Sequence, residues 1–200
     1  MADATTTPRR MSREARRASL LDAATDLLRA GPATLSFEAI AEQAGVSPTL
    51  PYKYFESVDE IAGELYARIV GAVDDETDRI LADADLGLDD KVRATLHLWC
   101  DTLRDEGPLL LRLTDDVAHP SLSSAVEARR ERAVDVWQAE LEASLGIDGA
   151  DARLLAATLT AGSTAVLRRW IRDRLDRREV IERFVVMTRG QIDAVTPAAG

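Results

Sequence analysis

The residues Ser36–Phe55 (SFEAIAEQAGVSPTLPYKYF) gather side chains suited to nucleic acid within one short stretch. Lys53 can reach a phosphate, Tyr52 can bond a phosphate or stack on a sugar or base, and Thr49 can touch a base edge. Ser36 and Ser47 stand at helix-capping positions, where the first N–H groups of a helix are open to phosphate oxygens. Upstream, Arg9, Arg10, Arg13, Arg16 and Arg17 make a basic run. It fits either a solvated terminus or an arm along a phosphate backbone. Other chemistry is poorly served. Two histidines and one cysteine give no metal-ligand spacing. The chain also shows no Gly-rich phosphate loop and no nucleophile elbow. No Ser/His/Asp set or carboxylate pair can be singled out among its 35 Asp and Glu.

The elements that must position these residues are helical. Ser12 can cap a first helix in which Leu20, Leu21, Ala24, Leu27 and Leu28 recur at helical spacing, with Gly31-Pro32 as its stop. Ser36 caps a short second helix (Phe37, Ile40, Ala41, Ala44), which Gly45 ends in the left-handed conformation. Ser47 caps a third, with Pro48 at its first position. The small Ala41 and Ala44 let the second and third helices approach, with Ile40 and Val46 between them. That is a helix-turn-helix, a frame able to seat one helix in a major groove. A fourth helix runs from about Ser57 to Ala84. Further helices are expected over Asp89–Arg104, Ser121–Leu145, Ala150–Leu175 and Arg178–Val195, with breaks at Gly107-Pro108 and His119-Pro120 around the short apolar stretch Leu109–Val117. The expectation is an all-α chain of about nine helices. The expected boundary separates a helix-turn-helix domain at residues 1–56 from a helical body at residues 57–200.

Composition bounds the function further. The 200 residues are 46% hydrophobic but only 4% aromatic, which suits a packed helical core. The lone Cys100 excludes an internal disulfide and fits a reducing cytoplasm. No apolar run approaches the roughly 20 residues needed to cross a bilayer, so no membrane partner is expected. Met1–Arg17 is polar and arginine-rich, unlike a secretory signal. The net charge of −10 would repel nucleic acid at long range, but its distribution matters more. Residues 1–56 hold seven Lys/Arg and seven Asp/Glu, leaving 18 basic and 28 acidic residues to the rest. A locally basic head thus precedes an acidic body.

Leu20-Leu21, Ala23-Ala24, Leu27-Leu28 and Gly31, then Ile40-Ala41, Ala44-Gly45-Val46-Ser47, Tyr52, Tyr54-Phe55 and Ser57, together resemble the DNA-binding domain of the TetR repressor family. The resemblance covers Arg16 to Leu65, about the first third of the chain. It implies DNA contacts from Arg13, Arg16, Ser36, Ser47, Thr49, Leu50, Tyr52, Lys53 and Tyr54. It also implies a phosphate-directed arm at Arg9–Arg17 that supplies affinity rather than specificity. Two positions depart from the family's pattern. Pro51 stands where an apolar residue is usual, removes a bond to the Ser47 carbonyl and should push Leu50 away from helical angles, so the recognition helix is expected to bend or to restart at Pro51. Val58 replaces a common lysine. The operator sequence is therefore not implied.

The body matches no motif. The resemblance implies an effector pocket there and a four-helix dimer interface from the last two helices. Residues combining bulk with a polar handle are His97, Trp99, Cys100, Trp137 and His119, each of which also fits plain core. Leu155, Leu159, Gly162, Val166 and Trp170 lie on one stripe of the penultimate helix, and Phe184 and Val185 on the last. They are expected to form the two-fold interface, with intrachain core as the alternative. The expected protein is a homodimeric, cytoplasmic repressor with no enzymatic activity, metal or cofactor. An unidentified small molecule would release it from a palindromic double-stranded operator. An activator or ligand-independent regulator of the same fold is the alternative, and an enzyme on a helical bundle fits poorly.

Overall fold

The fold follows from helix caps and from the positions of the buried apolar side chains. A computed structural model describes residues 11–30, 35–115 and 120–196. Among these lie seven α-helices and one 3-10 turn. The helices are α1 (Arg13–Ala30), α2 (Phe37–Gln43), α3 (Val58–Ala82), α4 (Leu88–Asp115), α5 (Pro120–Leu145), α6 (Gly149–Asp173) and α7 (Arg177–Val195). The chain divides into two units, Met1–Leu65 and Tyr66–Gly200. The first turns of α3 belong to one unit and its later turns to the other.

In the first unit, Ser12 begins α1 by accepting the Ala15 N–H at 3.1 Å. Leu20, Leu21, Ala24 and Leu28 recur on the buried side of α1. They face α2, where Phe37, Ile40 and Ala41 are buried, and Ile61, Ala62 and Leu65 of α3 are buried in the same unit. The Gly31-Pro32 stop lies outside the described residues.

In the second unit α4, α5, α6 and α7 enclose a core. It includes Val92, Leu96, Cys100, Val134, Trp137, Leu141, Ala156, Leu167 and Ile181. Asp148 and Asp176 cap α6 and α7 by accepting the N–H groups of Ala150 and Glu179. A buried ion pair braces this unit. Lys91 Nζ on α4 donates to Glu140 Oε1 on α5 at 2.9 Å and to the Leu81 carbonyl near the end of α3 at 2.7 Å.

Three expectations are corrected. The helix count is seven rather than about nine, and two local causes account for most of that difference. First, α4 does not break at Gly107-Pro108 but continues to Asp115. Pro108 offers no N–H to the preceding turn, yet Leu109, Leu110 and Leu113 just beyond it are buried. Burying three leucines on one helical face outweighs one missing hydrogen bond. Second, the third helix expected from Ser47 is absent. The His119-Pro120 break and His119 itself touch the undescribed segment 116–119, so only the start of α5 at Pro120 can be placed.

Candidate functional site

The stretch 36–55 is built from its caps. Ser36 Oγ accepts the Ala39 N–H at 3.1 Å and starts α2. At the other end Gly45 takes a left-handed φ of +63°. Its N–H donates to the Glu42 carbonyl at 3.1 Å, and the Val46 N–H reaches back to Ala41 at 2.9 Å. This Schellman arrangement closes α2 and turns the chain sharply, and glycine has no Cβ to oppose it.

Beyond Val46 the chain makes a run of tight turns in place of a regular recognition helix. The Leu50 N–H donates to Ser47 and the Lys53 N–H to Leu50, both i to i+3 bonds, and only Pro51–Lys53 forms a 3-10 helix. Pro51 lacks the N–H that would bond the Ser47 carbonyl in an α-helix, so the Leu50 N–H takes that carbonyl at 2.9 Å instead. Contrary to the expectation for a residue before proline, Leu50 keeps right-handed helical angles (φ −69°, ψ −44°). Pro51 itself is fully buried. Its carbonyl accepts from both Tyr54 and Phe55, anchoring the turn to the core. The sequence suggests damage at Pro51; in the fold it is the pivot. Ser47 caps no helix, and its hydroxyl lies 3.4 Å from that of Thr49.

This geometry leaves Ser47, Thr49, Tyr52 and Lys53 exposed side by side in sequence, with Leu50 and Tyr54 half-buried. Tyr52 is 58% exposed, yet its ring meets Phe37 edge to face at 4.4 Å. Its hydroxyl donates to Glu38 Oε1 at 3.0 Å. The Glu38 carboxyl is held below the usual range by its own backbone N–H and then by Tyr52. The Tyr52 side chain is thus held in place by two contacts.

Behind the turn stands Arg17. Its guanidinium lies 4.1 Å over the Phe55 ring and donates to the Tyr54 carbonyl, to Glu60 Oε1 at 2.7 Å and to Glu64. One side chain therefore ties α1 to the end of the turn and to the first turns of α3. The hydrogen bond from Arg17 is the main cause of the lowered Glu60 pKa. Sequence inspection placed Arg17 in a basic arm and missed this role; the signal available was that Glu60 and Glu64 stand four residues apart. Arg13 is exposed and lies 5.8 Å from the Tyr54 ring, and Arg16 is half-buried. Arg9 and Arg10 lie outside the described residues.

The second unit contains a cavity of about 520 Å³. Trp99 and Trp137 line it as expected, whereas His97 and Cys100 do not. Burial pushes the Cys100 thiol up to about 11, leaving it protonated and inert. Burial, followed by the nearby Arg177 charge, lowers the His97 pKa. The stripe assigned to either interface or core divides differently. Leu155, Leu159, Phe184 and Val185 are buried within the single chain, and Val166 and Trp170 pack partly against the same core. A Cβ on Gly162 would sit 3.0 Å from the Phe184 ring, so this glycine serves the close packing of α6 on α7. The exposed apolar side chains of these helices are others: Leu154 (67%), Val186 (70%) and Met187 (57%).

Capped helix, Schellman turn and exposed polar turn define a helix-turn-helix domain attached to an α-helical body. Residues 20–65 match the family model described as bacterial regulatory proteins, tetR family. Among solved structures, a tetR-family transcriptional regulator from Streptomyces coelicolor shares 21% identity over 91% of this chain and 82% of its own, with a TM-score of 0.69. A TetR-like regulator from Rhodococcus sp. RHA1 shares 22% over 90% and 96%, with a TM-score of 0.68. The transcriptional regulator FadR from Bacillus subtilis, in complex with stearoyl-CoA, shares 14% over 92% and 99%, with a TM-score of 0.61. At such identities the likeness establishes the fold. None of the curated proteins matches this sequence. Among the described residues no helix is long and apolar enough to cross a membrane, and no group of His, Cys, Asp and Glu could hold a metal ion.

Proposed function

We propose that the protein is a homodimeric transcriptional repressor that leaves a roughly palindromic operator when a small molecule occupies its body cavity. The observation that carries the DNA reading is the exposed turn Ser47–Tyr54, held by Ser36, Gly45, Pro51 and Arg17 at fixed points. Lys53 serves phosphate, while Thr49 and Tyr52 serve base edges or sugars. Two copies of this turn in successive major grooves give the operator its two-fold symmetry.

The dimer reading rests on exposed apolar side chains of α6 and α7, Leu154, Val186 and Met187, with the small exposed Ala161, Ala165 and Gly190 allowing close approach. Leu155, Leu159, Phe184 and Val185 stand behind that face as intrachain support. The cavity favours effector release over the ligand-independent alternative. FadR, of like fold, is seen with stearoyl-CoA, which lends support to a body that accepts a small molecule. An effector acts only as far as it prefers the conformation that releases DNA, and α3, shared by both units, is the proposed link.

The test is a binding assay with DNA flanking the protein's own coding region. Saturable, sequence-selective binding that falls at least tenfold in Tyr52→Ala and in Lys53→Ala supports the assignment. Selective binding that both variants retain contradicts it. Light scattering tests the dimer: Val186→Asp with Met187→Asp should give a folded monomer, and an unaltered mass would move the interface elsewhere.

A further inference from the structure

Most polar side chains inside the second unit have partners, and three of the exceptions gather at the cavity. Thr77, Thr102, Thr158 and Thr164 each donate their hydroxyl to the carbonyl four residues back, the usual resting place of a helical threonine. Thr95 on α4 and Thr160 on α6 do not. Their Oγ1 atoms are shielded from solvent, have no hydrogen-bond partner, and belong to residues that line the cavity. Arg129 on α5 is the third such group. Its guanidinium pairs with Asp74 at 2.8 Å and lies 4.5 Å over the Trp99 ring, yet its Nε has no acceptor, and the residue is part of the same lining. Leaving a buried donor unpaired is unfavourable, so orphans from three helices around one void are uncommon unless something fills it.

Charge narrows the occupant. The lining of an otherwise acidic chain includes Arg129, Arg130, Arg132, Arg168 and Arg172 against the single carboxylate of Asp74. Arg129 already occupies Asp74, and Arg130, Arg132 and Arg172 pair with Glu127, Asp78 and Asp173. Arg168 has no carboxylate partner among the described residues. The remaining wall is apolar, with Trp99, Trp137, Leu96, Leu103 and Phe184. Two hydroxyls, an arginine Nε–H and an unpaired guanidinium can all donate, and none can neutralise a cation.

We infer that the cavity takes an amphipathic carboxylate, its apolar body against the two tryptophans and its anionic head on Thr95, Thr160, Arg129 and Arg168. This rests on the effector reading above and names its chemical class. In the free protein the two hydroxyls are turned away from solvent, and rotation about the threonine χ1 bonds brings them to the carboxylate oxygens on binding.

The experiment uses the full-length protein and its intrinsic tryptophan fluorescence, since two of the three tryptophans line the cavity. The probes are decanoate, 1-decanol and decylamine, with hexanoate and dodecanoate to vary length. Decanoate should bind at least tenfold more tightly than either uncharged or cationic counterpart. In Thr95→Val with Thr160→Val that advantage should fall to about threefold or less, with decanol unaffected and the thermal midpoint equal or higher. Arg168→Gln, at an exposed position, should weaken decanoate several-fold without altering the fold. Decanol binding as tightly as decanoate would overturn the carboxylate assignment while leaving an apolar effector in place. Failure of every probe would overturn both. A large loss of thermal stability in the double valine variant would show that the hydroxyls are structural and would also overturn the assignment.

Discussion

The two units use polar side chains in opposite ways. In Met1–Leu65, Arg17 fills its donors with Tyr54, Glu60 and Glu64 and covers Phe55, so a charged group becomes the clamp of a rigid head. In Tyr66–Gly200, Lys91 and Glu140 make a comparable brace, but Thr95, Thr160 and Arg129 keep unpaired atoms around a void. The difference fits the roles proposed for the two units. A surface that must match a groove gains from having one geometry, whereas polar atoms without protein partners beside a void are the ones free to bond a bound molecule.

The largest effect is expected at the brace. Lys91→Ala strips the partner from a Glu140 side chain that is only 10% exposed, and leaving a buried charge alone costs about 3 kcal/mol. Chemical denaturation should report that loss, and a smaller loss for Lys91→Ala combined with Glu140→Gln. Equal losses would show that the pair is not the source.

Next comes the clamp. Arg17→Met keeps the stacking bulk but frees Glu60 and Glu64, and about 2 kcal/mol is expected from a partly exposed network. The same contact sets an acid limit. The Glu60 carboxyl titrates below its ordinary value in the folded state, so its contribution is present above about pH 4.3 and is lost as the pH falls through the lowered folded value. Arg17→Met should flatten the stability profile across that window; an unchanged profile would remove Arg17 from the account. The smallest effect is Ser36→Ala, which loses the Ala39 cap and about 1 kcal/mol. It should also weaken DNA binding more than its stability cost alone explains, because Tyr52 is aimed from Phe37 and Glu38 on that helix.

Much of the head was legible. Ser12, Ser36 and Gly45 carry local chemistry that fixes where α1 and α2 begin or end, and each does so in the fold. Pro51 was legible as the point where the chain bends or restarts, and the 3-10 turn does begin there, but the helical angles of Leu50 and the burial of Pro51 were not visible. Gly107-Pro108 failed for the same reason: a breaker is local, while the burial of Leu109, Leu110 and Leu113 depends on the whole unit. On α6 and α7 the apolar spacing showed that faces were buried but not against what. One stripe packs within the chain, and a neighbouring one at Leu154, Val186 and Met187 lies open. Thr95 and Thr160 carry no local mark, since their orphan state arises only where the five helices lining the cavity fail to fill their centre.

The central claim is that the turn Ser47–Tyr54 meets DNA, and the salt dependence of binding tests it most directly. Operator affinity should be measured by fluorescence anisotropy from low to physiological salt, for wild type and for Lys53→Ala. Removing one phosphate contact from each of two subunits should weaken binding and lower the slope of log affinity against log salt by about 1.8, near 0.9 per contact. An unchanged slope and affinity would place the DNA interface elsewhere on the protein.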